Sequence, residues 1–185
     1  KSSYPLAERG RASLGAAHAL LAKVSLYQGK WQQVIDNCDA VTGYSMVTDY
    51  ASQYRLAGEF DSESIFEISG VGSNPAKGVQ GYSVSQGARG AGGWGWGFNT
   101  PSMSLVNAYE SGDVRKDATI IFAGTTLYDG RVVPTTVENP MYNYKCYSSA
   151  YTDGWETDAN IKYLRYSEVL LMKAEALNEL TQTSS

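Results

Sequence analysis

The chain has 185 residues, of which 43% are hydrophobic and 18% charged, and its formal net charge is −4. This composition is typical of a globular protein, and the length suits one domain or part of a larger one. Phosphate contacts require clustered Lys and Arg, and the sequence has no such cluster, so we expect no nucleic-acid partner. No apolar run approaches the length of a membrane-spanning helix.

Two amphipathic helices are predicted near the start of the chain. Apolar residues recur at three- and four-residue spacing in residues 11–28, and Gly29 ends this pattern before a second helix over residues 30–41. Because the connection is so short, the two helices are expected to pack as a helical hairpin of the tetratricopeptide type. The predicted apolar positions are Ala12, Ala16, Ala19, Leu20, Val24 and Tyr27 in the first helix and Trp31, Val34, Ile35 and Cys38 in the second.

A further helix is predicted over residues 160–180. Its apolar positions are Leu164, Val169, Leu170, Met172, Ala176, Leu177 and Leu180, and we expect Arg165, Glu168 and Glu175 to form ion pairs between helices. We expect the partner helix of this segment to lie outside the sequence. The chain also opens without Met or a signal peptide, so we expect it to be a piece of a longer protein.

The residues between these helices predict short elements joined by loops. The sequence therefore indicates a mainly α fold of tetratricopeptide-like helix pairs with a loop-rich excursion that contains short strands. The expected elements are a strand at 65–68, a helix capped by Thr100 with Pro101 in its first turn, a short helix and strand within 112–124, a hairpin around Asp129 and Gly130, and a strand within 142–147.

A glycine-rich stretch with alternating aromatics occupies residues 87–98. Six glycines lie between Gly87 and Gly97, and Trp94, Trp96 and Phe98 alternate through its second half. It has neither the strand–glycine–helix pattern of a dinucleotide site nor the Lys-Ser/Thr of a phosphate-binding loop. Two interpretations stay open, since the tryptophans can form a ligand-stacking platform on one side of an extended backbone or can pin a tightly folded connection.

Four stretches together resemble the SusD/RagB family. They are RASLGAAHALLAKVSLYQGKW, FDSESIFEIS, GWGWGFNTPSMSLVNAYESGDVRKDATI and the segment that ends in LRYSEVLLMKAEALNEL. The last of these and the tryptophan-glycine stretch before Thr100 and Pro101 are the most specific matches. The resemblance covers essentially the whole chain but only the middle portion of the family fold. It implies part of a single SusD-like domain, with a helical hairpin at 1–45, the excursion at 46–159 and a repeat helix at 160–185.

What the resemblance implies is a binding protein rather than an enzyme. SusD-like proteins are tethered by lipid to the extracellular face of the outer membrane of Bacteroidetes bacteria. There they capture oligo- and polysaccharides and pass them to a SusC-like TonB-dependent transporter. Attachment to the membrane would depend on a lipid anchor outside this chain. The alternative is a protein-interaction scaffold that makes no sugar contact of its own.

Aromatic residues are the candidate carbohydrate contacts, since a flat ring packs against the C–H face of a pyranose. The sequence has 14 tyrosines and four tryptophans. Trp155, in a polar acidic loop beside Tyr147 and Tyr151, is the first candidate, and the others are Trp94 and Trp96, with Tyr82 and Tyr128 as further aromatic positions.

Catalytic and metal sites find little support in the sequence. Two carboxylate pairs, Asp153 with Glu156 and Glu110 with Asp113, have the residue types of a glycosidase, which makes an enzyme the third hypothesis. The acidic loop lacks the regular ligand spacing of a calcium-binding loop. His18 is the only histidine, and Cys38 and Cys146 match no metal-binding spacing, so we expect no cofactor and no metal. Asp113 and Arg115 are expected to fix a turn.

Overall fold

A computed structural model describes residues 3–5, 8–71, 80–147 and 158–182, which group into two compact units. Unit 1 consists of Lys1–Thr48, Phe60–Ile68 and Lys162–Ser185, and unit 2 of Asp49–Glu59 and Ser69–Ile161. The helices are α1 Leu14–Tyr27, α2 Trp31–Asp39, α3 Gln80–Gln86, α4 Met103–Ala108, α5 Arg115–Thr119 and α6 Tyr166–Gln182. The strands are β1 Ser64–Ile68, β2 Ile120–Phe122, β3 Met141–Asn143 and β4 Ile161–Arg165.

The predicted helical hairpin is present in unit 1. Ser13 caps α1, since its hydroxyl accepts a hydrogen bond from the backbone N–H of Ala16 at 3.1 Å. Gly29 has a φ of +65°, which reverses the chain after α1 and lets α2 pack against it. His18 packs between the two helices, and its Nδ1 donates to Oδ1 of Asn37 at 3.0 Å.

The buried face of α1 differs from the predicted one. Small residues line it, since Ala16, Ala19, Ala22 and Ser25 are buried. Their small side chains let α2 and α6 approach the α1 backbone closely. Ala12, Leu20, Val24 and Tyr27, which were predicted to share this face, are exposed instead. The prediction for α2 is confirmed, since Val34 and Cys38 are buried and Trp31 and Ile35 pack on the same core.

The predicted helix over 160–180 is in fact two elements. Residues 161–165 form β4, which lies beside β1 in a two-stranded sheet, and α6 begins only at Tyr166. The expectation that this helix lacks a partner is wrong, because α6 packs against both α1 and α2. Lys23 of α1 pairs with Glu168 of α6 at 2.7 Å. Of the predicted apolar positions, Leu164, Val169, Met172 and Ala176 are buried, whereas Leu170 and Leu177 are exposed.

Buried charges join β1 and β4. The ammonium of Lys162 lies 2.6 Å from Oδ2 of Asp61, and Arg165 pairs with the buried carboxylate of Glu63 at 3.1 Å. Glu67 is also buried, and its Oε1 accepts from the hydroxyl of Ser64 and from the backbone N–H of Phe60. Since each carboxylate has partners, the charges are accommodated at this edge of unit 1.

Unit 2 is built around a small sheet and a tyrosine-rich core. Strands β2 and β3 pair antiparallel, with Ile121 opposite Tyr142. The hydroxyl of Tyr142 donates to the carbonyl of Arg89 at 3.2 Å, which ties the glycine-rich loop to the sheet. The buried side chains of this core are Ala88, Trp94, Ile121, Leu127, Val133, Tyr142, Tyr144 and Tyr147.

Most short elements predicted for the middle region are confirmed, with shifted boundaries. β1 covers the predicted strand, and α5 and β2 are the predicted short helix and strand. The helix expected to begin at Thr100 and Pro101 is α4, which Ser102 caps through a 3.2 Å bond from the N–H of Leu105. The hairpin is a turn closed by a bridge between Thr126 and Val132, with Gly130 at a φ of +90°. The last predicted strand is shorter than expected, since a single helical turn follows β3.

Candidate functional site

The glycine-rich loop folds back on the chain that precedes it. The backbone N–H groups of Trp94 and Gly95 both donate to the carbonyl of Ala88, at 2.8 and 2.9 Å. A Cβ on Gly95 would lie 2.3 Å from the carbonyl oxygen of Val84, so a side chain there would clash with the backbone. Glycine is therefore required for this close approach, and the loop is a tightly folded connection.

Trp94 anchors this loop in the core of unit 2. Its side chain is only 9% exposed, and its ring meets the ring of Tyr147 edge to face at a centroid distance of 5.3 Å. The guanidinium carbon of Arg131 lies 4.7 Å from the centre of the Trp94 ring, a cation–π contact. These contacts support the interpretation of Trp94 as a residue that pins the loop.

Trp96 lies on the surface two residues later. It is 47% exposed, and the neighbouring Phe98 is 59% exposed. Their rings meet edge to face, with centroids 6.3 Å apart and planes at 81°. Trp94 and Trp96 thus do not form one exposed platform, because the turns of the loop send them to different environments. The exposed aromatic pair is Trp96 with Phe98, which the same alternating pattern contained.

The remaining aromatic candidates of unit 2 differ in how deeply they are buried. Tyr147 is 3% exposed, and its hydroxyl donates to Oδ2 of Asp129 at 2.8 Å; burial raises the pKa of this phenol. Tyr82 and Tyr128 are exposed. Tyr151 and Trp155 lie outside the described residues. The structure therefore brings Trp94 and Tyr147 together in the core and leaves Trp96 at the surface.

Two tyrosines of unit 2, Tyr128 and Tyr144, pack on the guanidinium of Arg55, and their contact with this arginine was not predicted. Its guanidinium carbon lies 4.0 Å from the centre of the Tyr144 ring and 4.6 Å from that of Tyr128. Burial lowers the pKa of Arg55. Arg55 and Tyr144 are 89 positions apart in the chain, so no local pattern predicts that they meet.

Of the acidic candidates in the described residues, Glu110 is exposed and Asp113 is paired with Arg115. Asp113 accepts hydrogen bonds from Nε and Nη2 of Arg115, which lower the pKa of its carboxyl to about 2. These bonds fix the turn between the two residues, as predicted. Asp153 and Glu156 lie outside the described residues.

Two further findings concern the described residues only. They contain no group of three or more His, Cys, Asp or Glu side chains placed to hold a metal ion. None of their helices has both the length and the apolar character needed to cross a bilayer. Cys38 and Cys146 are buried thiols without a disulfide, and burial raises the pKa of each to about 11.

The sequence of this chain is similar to those of a known protein family. The model of the SusD family matches residues 62–185 of this chain. SusD-like protein P2 of Formosa agariphila is 29% identical over 201 aligned residues, which cover 96% of this chain and 40% of that protein.

Solved structures share the fold. A laminarin-binding SusD-like protein superimposes with a TM-score of 0.76 and 26% identity, over 94% of this chain and 45% of that one. Surface glycan-binding protein A from Bacteroides thetaiotaomicron, in complex with laminarihexaose, gives a TM-score of 0.75 and 20% identity over 96% of this chain and 46% of that one. This chain thus spans less than half the length of these relatives. The resemblance and the mainly α fold predicted from sequence are confirmed, and the chain belongs to the SusD family.

Proposed function

We propose that this chain is the part of a cell-surface SusD-family protein that binds oligo- or polysaccharide without chemical conversion. The observation that carries the proposal is the exposed pair of Trp96 and Phe98, held on a loop that Trp94 anchors in the core. An exposed ring that is already fixed in place offers a pyranose a stacking surface at low entropic cost.

The five candidate contacts take different roles in this proposal. Trp96 stacks against the sugar, and Phe98 supports its ring from the edge. Trp155 and Tyr151 contribute further contacts. Trp94 and Tyr147, which are buried against each other, hold the loop and act on the sugar only through Trp96. The pinning interpretation of Trp94 is thereby preferred to direct contact.

A SusC-like TonB-dependent transporter is the proposed partner of the complete protein. The protein would sit on the extracellular face of the outer membrane, attached by a lipid anchor outside this chain, and would deliver bound glycan for import. Family membership supports this assignment. Laminarin is the first ligand to examine, since one relative of similar fold is a laminarin-binding protein.

A protein-interaction scaffold is the second candidate function. It is favoured by exposed apolar side chains on α1 and α6, since patches of this kind mark protein interfaces. These side chains are Leu14, Leu20, Leu21, Val24, Leu170, Leu171 and Leu177. Both functions can coexist in one protein, and the exposed aromatic pair of unit 2 favours carbohydrate binding.

Affinity electrophoresis of the intact protein tests the proposed function. Gels containing laminarin, xylan, mannan or pectin would be run with the wild type and with Trp96→Ala and Trp155→Ala. We expect at least one polysaccharide to retard the wild type, and both substitutions to reduce that retardation. If none of the polysaccharides retards the wild type, the scaffold function is favoured.

A further inference from the structure

Tyr128 is an exposed ring that the rest of unit 2 holds in a fixed position. It precedes the turn at Asp129 and Gly130, and 49% of its side chain is accessible. Its backbone N–H donates to the hydroxyl of Tyr144 at 2.9 Å. The rings of Tyr144 and Tyr147 lie at centroid distances of 6.4 and 6.0 Å from its own. The Tyr128 ring lies on a surface turn and is therefore held there by its contacts with two buried tyrosines.

Arg55 adds a cation to this support. Its guanidinium lies against the rings of both Tyr128 and Tyr144, with its carbon 4.6 and 4.0 Å from their centres. This arrangement fixes the plane of the Tyr128 ring from one side, because a guanidinium stacks on an aromatic face.

Arg55 also offers hydrogen-bond donors at the same place. Its Nη1 donates to the carbonyls of Tyr54 and Tyr144, at 3.2 and 3.4 Å. Among the described residues, no protein group accepts from its Nε or Nη2, and no carboxylate forms an ion pair with it. A guanidinium carries five N–H donors, so Arg55 retains donors beside the Tyr128 ring.

An aromatic face next to planar N–H donors matches the two sides of a sugar ring. The C–H face of a pyranose packs on the aromatic ring, and its hydroxyls accept from the donors. We propose that Tyr128 and Arg55 form a second carbohydrate contact in unit 2, which takes a pyranose unit of the glycan bound at Trp96. This inference rests on the proposed function.

The contact predicts a dependence on chain length. A long glycan that occupies both contacts gains from the second one, whereas a short oligosaccharide that reaches only one does not. Calorimetry of the intact protein would compare the polysaccharide that retards it most with a disaccharide of the same linkage. Tyr128→Ala should weaken polysaccharide binding about tenfold and leave disaccharide binding at Trp96 unchanged.

Four further variants separate contact from folding. Tyr128→Phe keeps the ring and should bind within about twofold of the wild type, whereas Arg55→Met keeps the aliphatic stem and should bind about fivefold more weakly. Tyr128→Trp should retain binding, and addition of polysaccharide should shift its tryptophan emission further to the blue than that of the wild type, in which Trp96 also responds. Tyr27→Ala, at an 83% exposed tyrosine of unit 1, is the matched control and should bind as the wild type does.

Two outcomes overturn the inference in distinguishable ways. If Trp96→Ala weakens binding and Tyr128→Ala does not, the proposed function stands and the second contact is refuted. If the wild type binds no glycan, both are refuted. A blue shift of Tyr128→Trp emission that is no larger than that of the wild type in saturating polysaccharide also argues against contact at Tyr128.

Discussion

Arg131 stacks on Trp94, with its guanidinium carbon 4.7 Å from the ring centre, and the same guanidinium lies 5.8 Å from the centre of the Tyr147 ring. The arginine follows the turn at Asp129 and Gly130, while the tryptophan belongs to the glycine-rich loop. The contact therefore ties two loops of unit 2 to each other. It also adds to the contacts of Trp94 in the core, whereas Trp96, two residues later, is half exposed.

Substitution of the two tryptophans should separate folding from binding. Trp94→Ala should lower the free energy of unfolding by about 3–5 kcal/mol, because it leaves a large cavity in the core. Trp96→Ala should change it by less than about 1 kcal/mol, because the ring is largely at the surface. Urea denaturation followed by circular dichroism measures both. Equal losses in the two variants would contradict the assignment of Trp94 as the anchor.

The close approach of Gly95 to the backbone of Val84 leads to a second prediction. Gly95→Ala places a methyl group 2.3 Å from the carbonyl oxygen of Val84, so the loop must move. We expect a loss of about 2 kcal/mol or more in the free energy of unfolding. Gly81→Ala is the control, because a Cβ there meets nothing within 4 Å and the residue lies inside α3. It should be neutral or stabilise the protein by about 0.5–1 kcal/mol.

Removal of the Lys162 ammonium should be costly. Lys162→Met leaves the carboxylates of Asp61 and Glu67 without their cation at a largely buried site. Breaking such a pair from one side costs about 3–5 kcal/mol, and thermal unfolding at neutral pH measures it. Lys173→Met removes a lysine that pairs with the exposed Asp39, so its melting temperature should match that of the wild type. A mild effect of Lys162→Met would show that the site is well hydrated.

The pairing of Asp113 with Arg115 predicts a pH dependence. The pKa of Asp113 falls from 3.8 to about 2 in the folded protein, so the native state favours the ionised carboxylate. The stabilisation is present above pH 3.8 and is lost as the pH falls toward 2. An NMR titration of the carboxyl carbon should give this pKa directly. Arg115→Gln should return it toward 3.8, and an unchanged value would contradict the proposed cause.

The end of α1 and the buried face of α2 were predictable because their signals are local. Gly29 ends α1, and the spacing of Val34 and Cys38 identifies the buried face of α2. The error over β4 has a physical reason. Residues 161–165 have charged and apolar side chains at spacings that suit a helix, and only pairing with β1, about 100 positions earlier in the chain, makes them a strand.

The candidate site was less predictable, because loop geometry decides which aromatics reach the surface. In an extended backbone, the alternating pattern would put Trp94 and Trp96 on the same side. The hydrogen bonds from the N–H groups of Trp94 and Gly95 to the carbonyl of Ala88 instead turn the backbone between the two tryptophans. The contact of Arg55 with Tyr128 and Tyr144 depends on residues far apart in sequence, and no periodicity reveals it.

The central claim is that an exposed aromatic surface of unit 2 binds carbohydrate. Its most direct test is calorimetry of the intact protein with the polysaccharide that retards it most in affinity gels, for the wild type, Trp96→Ala and the control Tyr27→Ala. The account predicts that Trp96→Ala weakens binding by about tenfold or more while Tyr27→Ala binds as the wild type does. Equal affinity of Trp96→Ala and the wild type would contradict it.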